Sequence, residues 1–450
     1  MHQYIQAMKE HEFVLWVIGA KAEDEGKFVY TLPENVTEVH QVFLDDALRL
    51  KAERGKKCRL SERQRDALQE VMDCGRPDWE ALFSLFQEQQ MNPMNLLVSE
   101  EFLELLLALC REQYPYTAFA EFFHTIRSML LPLFYMMSQK APEADAYHAI
   151  CTGYGGILGM LGHYTYKKPM LLTEHGIYSR EREEEIIRAR WVVPSFKKHW
   201  IRFFYMLSDG AYQTAWRITA LFVRAMETQI QLGAAPEKCR VIGNGIAYER
   251  FADIPIREED GWVNIGAVVR MAPIKDVKTM IYAFHEVSSR VEQVRLYIMG
   301  GVDDEAYAEE CYSLVRQLGL KNLFFTGRVE VTEAMEKLDF TILTSISEGQ
   351  PLSVLESLAA GRPCVTTDVG CCRELLDGTG EDDFGRAGYC VPPMYREGLA
   401  EAMVKMCRSR RQRLWMGSAG KKRVKAFFRQ EMMMENYRKL YEEVRGKWQE

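Results

Sequence analysis

Two carboxylates, Glu348 and Glu356, stand with seven residues between them, Gly349, Gln350 and Pro351 coming directly after the first. An apolar run (Phe340, Ile342, Leu343) leads in, and a short apolar stretch closed by Gly361 leads out. Proline suits the first turn of a helix, where its missing N–H costs nothing, and glycine suits the C-terminal end. The segment therefore predicts strand, tight loop and helix, with Glu348 in the loop and Glu356 in the helix. Free amides at such a helix start face a ligand above the strand end and favour an anion. The two carboxylates could then accept hydrogen bonds from two separate sets of hydroxyls. Phosphate plus several hydroxyls describes a sugar nucleotide.

Upstream, the stretch from Ile265 to Thr279 places Arg270 at a strand end and Lys275 just before a helix. Two cations at such a turn could clamp a diphosphate, where negative charge grows as the bond to it breaks. Alone they also fit two solvated surface charges; beside the 348–356 element the clamp is the better account. The chain has no Asp-x-Asp, His-x-His or His-Glu-x-x-His, so a metal has no obvious harness and no cofactor is expected. Gly153, Gly155 and Gly159, with Glu174 beyond them, mimic a dinucleotide fingerprint. They also fit a close-packed strand–helix turn, which is the reading adopted. The triplet Asp383-Phe384-Gly385 is chance, the stripe at Phe134 to Met137 is helical core, and the basic runs Arg408 to Arg413 and Lys421 to Lys425 are solvated helix surface.

The elements that must position these groups follow from composition and periodicity. The 450 residues are 47% hydrophobic and 27% charged, enough for about two or three globular domains. A net charge of −7 argues against nucleic acid as a partner. Eleven cysteines without a Cys-x-x-Cys pair fit a reducing cytosol rather than a disulfide framework. No apolar stretch reaches membrane-spanning length and no signal peptide is visible, so a cytoplasmic protein is expected.

His2 to Glu10 has helical spacing and Phe13 to Ile18 is a buried-strand run. Residues 45–140 read as amphipathic helices: Ser61 to Met72, Trp79 to Gln90, Glu100 to Glu112, and Ala118 to Met137 interrupted at Pro132. From Tyr147 strands alternate with helices, the candidates being His148 to Cys151, Met170 to Thr173 and Trp191 to Val193. The pattern breaks at Ile242-Gly243-Asn244-Gly245-Ile246, and a second alternating series follows. Its strands are Val263 to Val269, Leu296 to Met299, Leu323 to Thr326, Phe340 to Leu343 and Cys364 to Thr367. Such alternation predicts parallel sheets covered on both faces. Expected domains are 1–245, with the insertion at 45–140, and 246–426; a C-terminal helix over 427–450, with an aromatic stripe at Phe427, Tyr437 and Tyr441, packs back on the first.

Taken together, Arg270, Lys275, Phe325 to Arg328, Glu348 to Glu356 and Ala360 to Thr367 resemble the retaining GT-B glycosyltransferases of the glycosyltransferase 4 family. The helical insertion, Leu172 to Arg182 and Thr344 to Leu376 resemble its PelF-like group, which serves Pel exopolysaccharide synthesis. The resemblance implies an α/β GT-B fold, two doubly wound Rossmann-like domains facing a cleft, with the helical insertion in the first. It implies that Arg270 and Lys275 neutralise a donor diphosphate, that Glu356 accepts from ribose hydroxyls, and that Glu348 contacts the donor sugar. Backbone amides of Gly349, Gln350, Pro351 and Leu352 would line the sugar and distal phosphate (proline contributing none), and Gly327 and Arg328 would pass near the base. His175 would sit near the reacting carbon; it also fits a loop histidine capping the Glu-His-Gly turn.

The implied reaction is transfer of a hexose from a UDP-sugar, UDP-glucose first, to a growing exopolysaccharide, metal-independent and with retention. Implied partners are the UDP-sugar, a polysaccharide acceptor and inner-membrane polysaccharide synthase components. Alternatives are a non-catalytic nucleotide-binding subunit of such a synthase and a GT-B UDP-sugar epimerase. Members of the family open with a strand and a Gly-Gly loop ahead of the helix seen here at His2 to Glu10. A shortened chain is therefore expected, lacking a central first strand.

Overall fold

The computed structural model describes residues 2–28, 30–53, 58–380 and 382–448. Met1 and residues 449–450, the extremities of the expected domains, lie outside them. The chain divides into two compact units, one running to Val241 and taking in the residues from Arg438 onward, the other spanning Ile242–Tyr437.

The strands in chain order are β1 (Phe13–Gly19), β2 (Val36–Phe43), β3 (Tyr147–Ala149), β4 (Met170–Glu174), β5 (Arg217–Ala220), β6 (Cys239–Val241), β7 (Val263–Val268), β8 (Val294–Met299), β9 (Leu323–Gly327), β10 (Phe340–Leu343), β11 (Cys364–Thr367) and β12 (Gly388–Val391). In the second unit they form one six-stranded parallel sheet in the order β12-β11-β10-β7-β8-β9. Counted within the unit this is 3-2-1-4-5-6 read from the far edge, the doubly wound order, with the direction of winding reversing between β7 and β10. The central strands are apolar on both faces, as a sheet covered by helices on each side requires: Phe340, Ile342 and Leu343 of β10 and Val365 of β11 are all buried.

In the first unit β1 and β2 form a two-stranded parallel sheet, and β3-β4-β5-β6 a separate four-stranded one. The described residues of 45–140 form helices and the connections between them, as the periodicity predicts. Ser61 caps Glu62–Met72 through a reciprocal capping box with Gln64, and Ser99 caps Glu100–Gln113 by accepting from the Phe102 amide. Phe83, Phe102, Phe122 and Phe134 fill one core with the helices around β3 and β4.

Several expectations change. Trp191 to Val193 is not a strand; Trp191 and Val193 are exposed in the connection before the short 3₁₀ turn Pro194–Phe196, and the next strand of the sheet, on the other side of β4 from β3, is β5. Pro132 does not interrupt its helix, which is continuous over Phe119–Met137. The carbonyl left without an amide partner is that of Ser128, on the exposed side, where water can serve it. The basic runs are only partly solvated: Arg413 and Arg423 are buried. Arg423 pairs with Asp382 and donates to the carbonyls of Leu375 (3.1 Å), Leu376 (3.0 Å) and Gly385 (2.7 Å). Phe427 ends one helix and is exposed, whereas Tyr437 lies buried in the next, Gln430–Trp448. All eleven cysteines are free thiols.

Candidate active site

In a doubly wound sheet, ligands bind beyond the carboxyl ends of the strands where the winding reverses. The loops after β7 and β10 meet at that place in the second unit. Lys275 closes the 3₁₀ turn Pro273–Lys275 that follows β7, and Asp276, left-handed at φ 46°, caps the helix Val277–Arg290 through the Thr279 amide (3.4 Å). The loop after β10 is tied to it: the Ile346 amide donates to the Ile274 carbonyl (2.9 Å), and the Thr344 hydroxyl to those of Lys275 (2.9 Å) and Asp276 (3.1 Å). Two loops distant in sequence are thus fixed against one another by one backbone hydrogen bond and the Thr344 hydroxyl.

That framework brings Lys275 and Glu348 together. The Lys275 ammonium lies 2.5 Å from Glu348 Oε1, both side chains mostly covered at 16% and 12% exposure, and the Ser345 hydroxyl donates to the same oxygen (2.5 Å). Ser345 is in turn fixed by the Thr367 hydroxyl at the end of β11, which donates to its carbonyl (2.6 Å). Glycine is required at position 370, where a side chain would come within 2.1 Å of the Gly349 carbonyl oxygen and 2.4 Å of that of Glu348. Gln350 and Pro351 are buried, and the Gln350 side-chain carbonyl accepts from the Asn244 amide (2.6 Å). Pro351 stands one position ahead of the helix Leu352–Ala359, so the exposed Leu352 is its first residue.

Glu356 lies on that helix, half-buried, and its carboxylate makes no hydrogen bond among the described residues. Burial pushes its carboxyl above the usual value, opposed by the nearby Arg250 guanidinium. A partly desolvated carboxylate with open lone pairs is an acceptor waiting for hydroxyl donors. Arg270 is exposed just after β7 and pairs with Asp303 rather than with Glu348. Gly327 ends β9 and Arg328 follows it, both exposed, with the Arg328 guanidinium against Gly301. Among the described residues no three His, Cys, Asp or Glu side chains gather into a metal-sized group.

His175 belongs to the first unit, exposed directly after β4, and makes no hydrogen bond among the described residues. It does not cap the Glu-His-Gly turn; Glu174 Oε1 does, accepting from the Tyr178 amide (3.4 Å). Glu174 itself is buried, and its other donors are the Tyr212 hydroxyl (2.7 Å), the Gln229 amide (3.0 Å) and the Thr152 hydroxyl (3.4 Å). Beside it the glycines pack: a side chain at Gly159 would lie 2.9 Å from Met170 Cε and 3.3 Å from Ala149 Cβ. The dinucleotide-like pattern is a helix–sheet contact.

Residues 1–237 match the family model described as a domain of unknown function, DUF3492. The chain belongs to the DUF3492 family. Residues 263–409, which carry Arg270, Lys275, Glu348 and Glu356, match the family Glycosyl transferases group 1. Among curated proteins, the chain is 23% identical over 265 residues to an MMP alpha-(1->4)-mannosyltransferase of Mycolicibacterium hassiacum, covering 58% of this chain and 62% of that one. It is 26% identical over 242 residues to an alpha-monoglucosyldiacylglycerol synthase of Streptococcus pneumoniae, covering 50% and 52%. The chain thus spans between half and two thirds of the length of these curated relatives. Among solved structures, sucrose-phosphate synthase of Thermosynechococcus elongatus superposes with a TM-score of 0.61 at 15% identity, covering 99% of this chain and 92% of that one. Anabaena HepE in complex with UDP superposes with a TM-score of 0.55 at 14% identity, covering 96% and 99%. At such identities the likeness establishes the fold, which is GT-B.

Sequence reasoning missed Ser345, Asp303, Asn244 and Gly370. Ser345 had a signal, a small hydroxyl pair (Thr344, Ser345) at a strand end just before an acid. Asp303 had a weaker one, the Gly300-Gly301-Val302-Asp303 turn after β8. Nothing local marks Asn244 as the partner of Gln350.

Proposed function

We propose that this protein is a glycosyltransferase that moves a sugar from a UDP-sugar, UDP-glucose first, to a growing exopolysaccharide, retaining anomeric configuration and using no metal. The observation that carries this reading is the Lys275–Glu348 pair at the winding reversal of the second sheet, with the open carboxylate of Glu356 on the helix that follows. The match of residues 263–409 to Glycosyl transferases group 1 and the mannosyltransferase among the relatives support it, as does the structure of Anabaena HepE in complex with UDP-glucose. The PelF-like motifs point to the exopolysaccharide as acceptor and to inner-membrane synthase components as partners.

In this reading the Lys275 ammonium and the Arg270 guanidinium take up the charge that develops on the departing diphosphate, together with amides at the start of Leu352–Ala359. Glu356 accepts from the ribose hydroxyls, and Glu348, which holds Lys275 in place, accepts from the donor sugar. The base lies along Gly327 and Arg328. His175 serves the acceptor side of the reaction. The acceptor hydroxyl attacks from the face that the diphosphate leaves, passing its proton to the leaving phosphate oxygen. The new glycosidic bond thereby keeps the donor's configuration, and no glycosyl–enzyme ester forms.

The test is turnover of UDP-glucose with an oligosaccharide acceptor, with the product's anomeric centre read by NMR. Retention, and a fall of roughly 100-fold in kcat for Lys275→Ala, are expected. Inversion, a requirement for added divalent metal, or sugar epimerisation without transfer would overturn the proposal.

A further inference from the structure

The stretch mistaken for a strand has a property that the reaction does not use. Between Ile186 and Arg202 the chain carries five cations, Arg188, Arg190, Lys197, Lys198 and Arg202, and no acid, in a protein whose net charge is −7. The same stretch exposes Ile187 (57%), Trp191 (70%) and Val193 (40%). Two contacts draw this stretch together, and Arg202 at its far end donates to the Asp73 carbonyl (2.5 Å). Lys197 Nζ donates to the Ile187 carbonyl (2.5 Å), closing the end of the helix Tyr178–Arg188 onto the start of Lys197–Thr214. The Trp191 indole stands edge-on to the buried Trp200 (centroids 5.5 Å, 82°), and Pro194 stiffens the turn between them. Tyr116, fully exposed, lies on the neighbouring loop that Tyr114 anchors against Phe196 (5.2 Å).

We propose that this turn is a membrane-docking surface, with Trp191, Ile187 and Val193 entering the headgroup region of an anionic bilayer and the flanking cations meeting its phosphates. Scattered exposed apolar residues are ordinary on a protein surface. Here they are grouped at a turn and flanked in sequence by basic side chains, of which Arg190 and Lys198 are exposed and have no ion-pair partner among the described residues. Arg188 lies 3.9 Å from Glu184, one turn earlier on its own helix, where the acidic run Glu183 to Glu185 ends just ahead of the patch. Indole is the side chain best suited to the membrane–water boundary, and juxtaposed Lys and Arg select anionic lipid. The charge complementarity fixes the occupant as a lipid surface carrying negative headgroups. No helix among the described residues is long and apolar enough to cross a membrane. This inference does not depend on the sugar transferred.

Co-sedimentation of the full chain with vesicles tests it. Binding to phosphatidylglycerol vesicles is expected, with little to phosphatidylcholine, weakening steeply as salt is raised. Trp191→Ala should weaken it on the order of tenfold. Arg190→Ala and Lys198→Ala should each weaken it roughly fivefold. The melting temperature should be unchanged, since these side chains are exposed; Ile187→Ser provides a second apolar variant, and Trp191→Phe should restore part of the binding. Equal binding to both lipids, no binding to either, or parent-like binding by the Trp191 and Ile187 variants would refute docking. Full competition by soluble polyglutamate together with indifference to Trp191→Ala would show an acid-polymer site instead.

Discussion

Two strand-end glutamates behave in opposite ways. Glu174, at the end of β4, is buried and accepts from Tyr212, Gln229, Thr152 and the Tyr178 amide. Glu348, in the loop after β10, holds one ammonium and one hydroxyl at the place where a doubly wound sheet receives ligands. Both follow a parallel strand, and in sequence both sit near glycines. What separates them is the use of their acceptor capacity: Glu174 is filled by its own fold, whereas Glu348 and the open Glu356 leave room for hydroxyls from outside. A carboxylate near a glycine pattern is a structural keystone when its donors come from within, and a ligand candidate when they do not.

Substitution should break this comparison most visibly at Glu174. Glu174→Ala would strand three buried donors, and an unfolding midpoint in urea should report a loss of roughly 3–5 kcal/mol. If UDP binding falls while stability holds, the assignments of the two glutamates are reversed. His199 provides the next largest effect, again in the first unit. Burial and the nearby Arg202 push its imidazole down to about 4 from 6.5, and it lies 3.6 Å from the neutral Cys74 thiol and 3.3 Å from the Tyr114 hydroxyl. A folded value below the unfolded one means that this stability is full above pH 6.5 and is lost as pH falls toward 4, up to about 3 kcal/mol. Melting against pH should show that decline, and His199→Gln should flatten it.

Lys275→Ala should lower kcat roughly 100-fold, with a loss of stability smaller than that of Glu174→Ala because the Glu348 carboxylate keeps its Ser345 hydroxyl. Comparable losses in both readouts would make the pair structural. Smallest is Glu356→Ala, which should weaken UDP binding about tenfold, as loss of a hydrogen bond from a charged acceptor does. Because burial raises the Glu356 carboxyl above 4.5, its contribution to stability is full below that pH and is lost as pH rises. Glu356→Gln should therefore melt no lower than the parent at neutral pH, with any gain fading under acid conditions.

The legible parts of the molecule were those whose signals are local. β10 and β11 could be read to the residue because short apolar runs are bounded by Asp339, Pro363 and the turns beyond. β5, β6 and β12 escaped because three or four residues, with Arg217, Arg240 or Gly388 among them, leave too little pattern. Trp191 to Val193 misled because an apolar, β-branched run reads as a strand whether or not a neighbour pairs with it. Long-range polar partners were out of reach: Arg270 finds Asp303 after a different strand. Arg362, which carried part of the family resemblance, is buried and donates to the carbonyls of Leu338, Ile254, Ala360 and Pro255, so its role is to hold the unit's base together. Burial of a cation on backbone carbonyls leaves no trace in a charge count.

The central claim is that the carboxyl end of the second unit's sheet, around Lys275, Glu348 and Glu356, binds a UDP-sugar. Calorimetric titration of UDP-glucose into the parent chain, Glu356→Ala and Glu174→Gln tests it most directly, with GDP- and ADP-glucose alongside. The account predicts saturable binding that prefers UDP, weakened about tenfold by Glu356→Ala and unaffected by Glu174→Gln at temperatures where that variant is folded. Binding that Glu356→Ala leaves intact, or no binding of UDP-glucose to the parent, would contradict it.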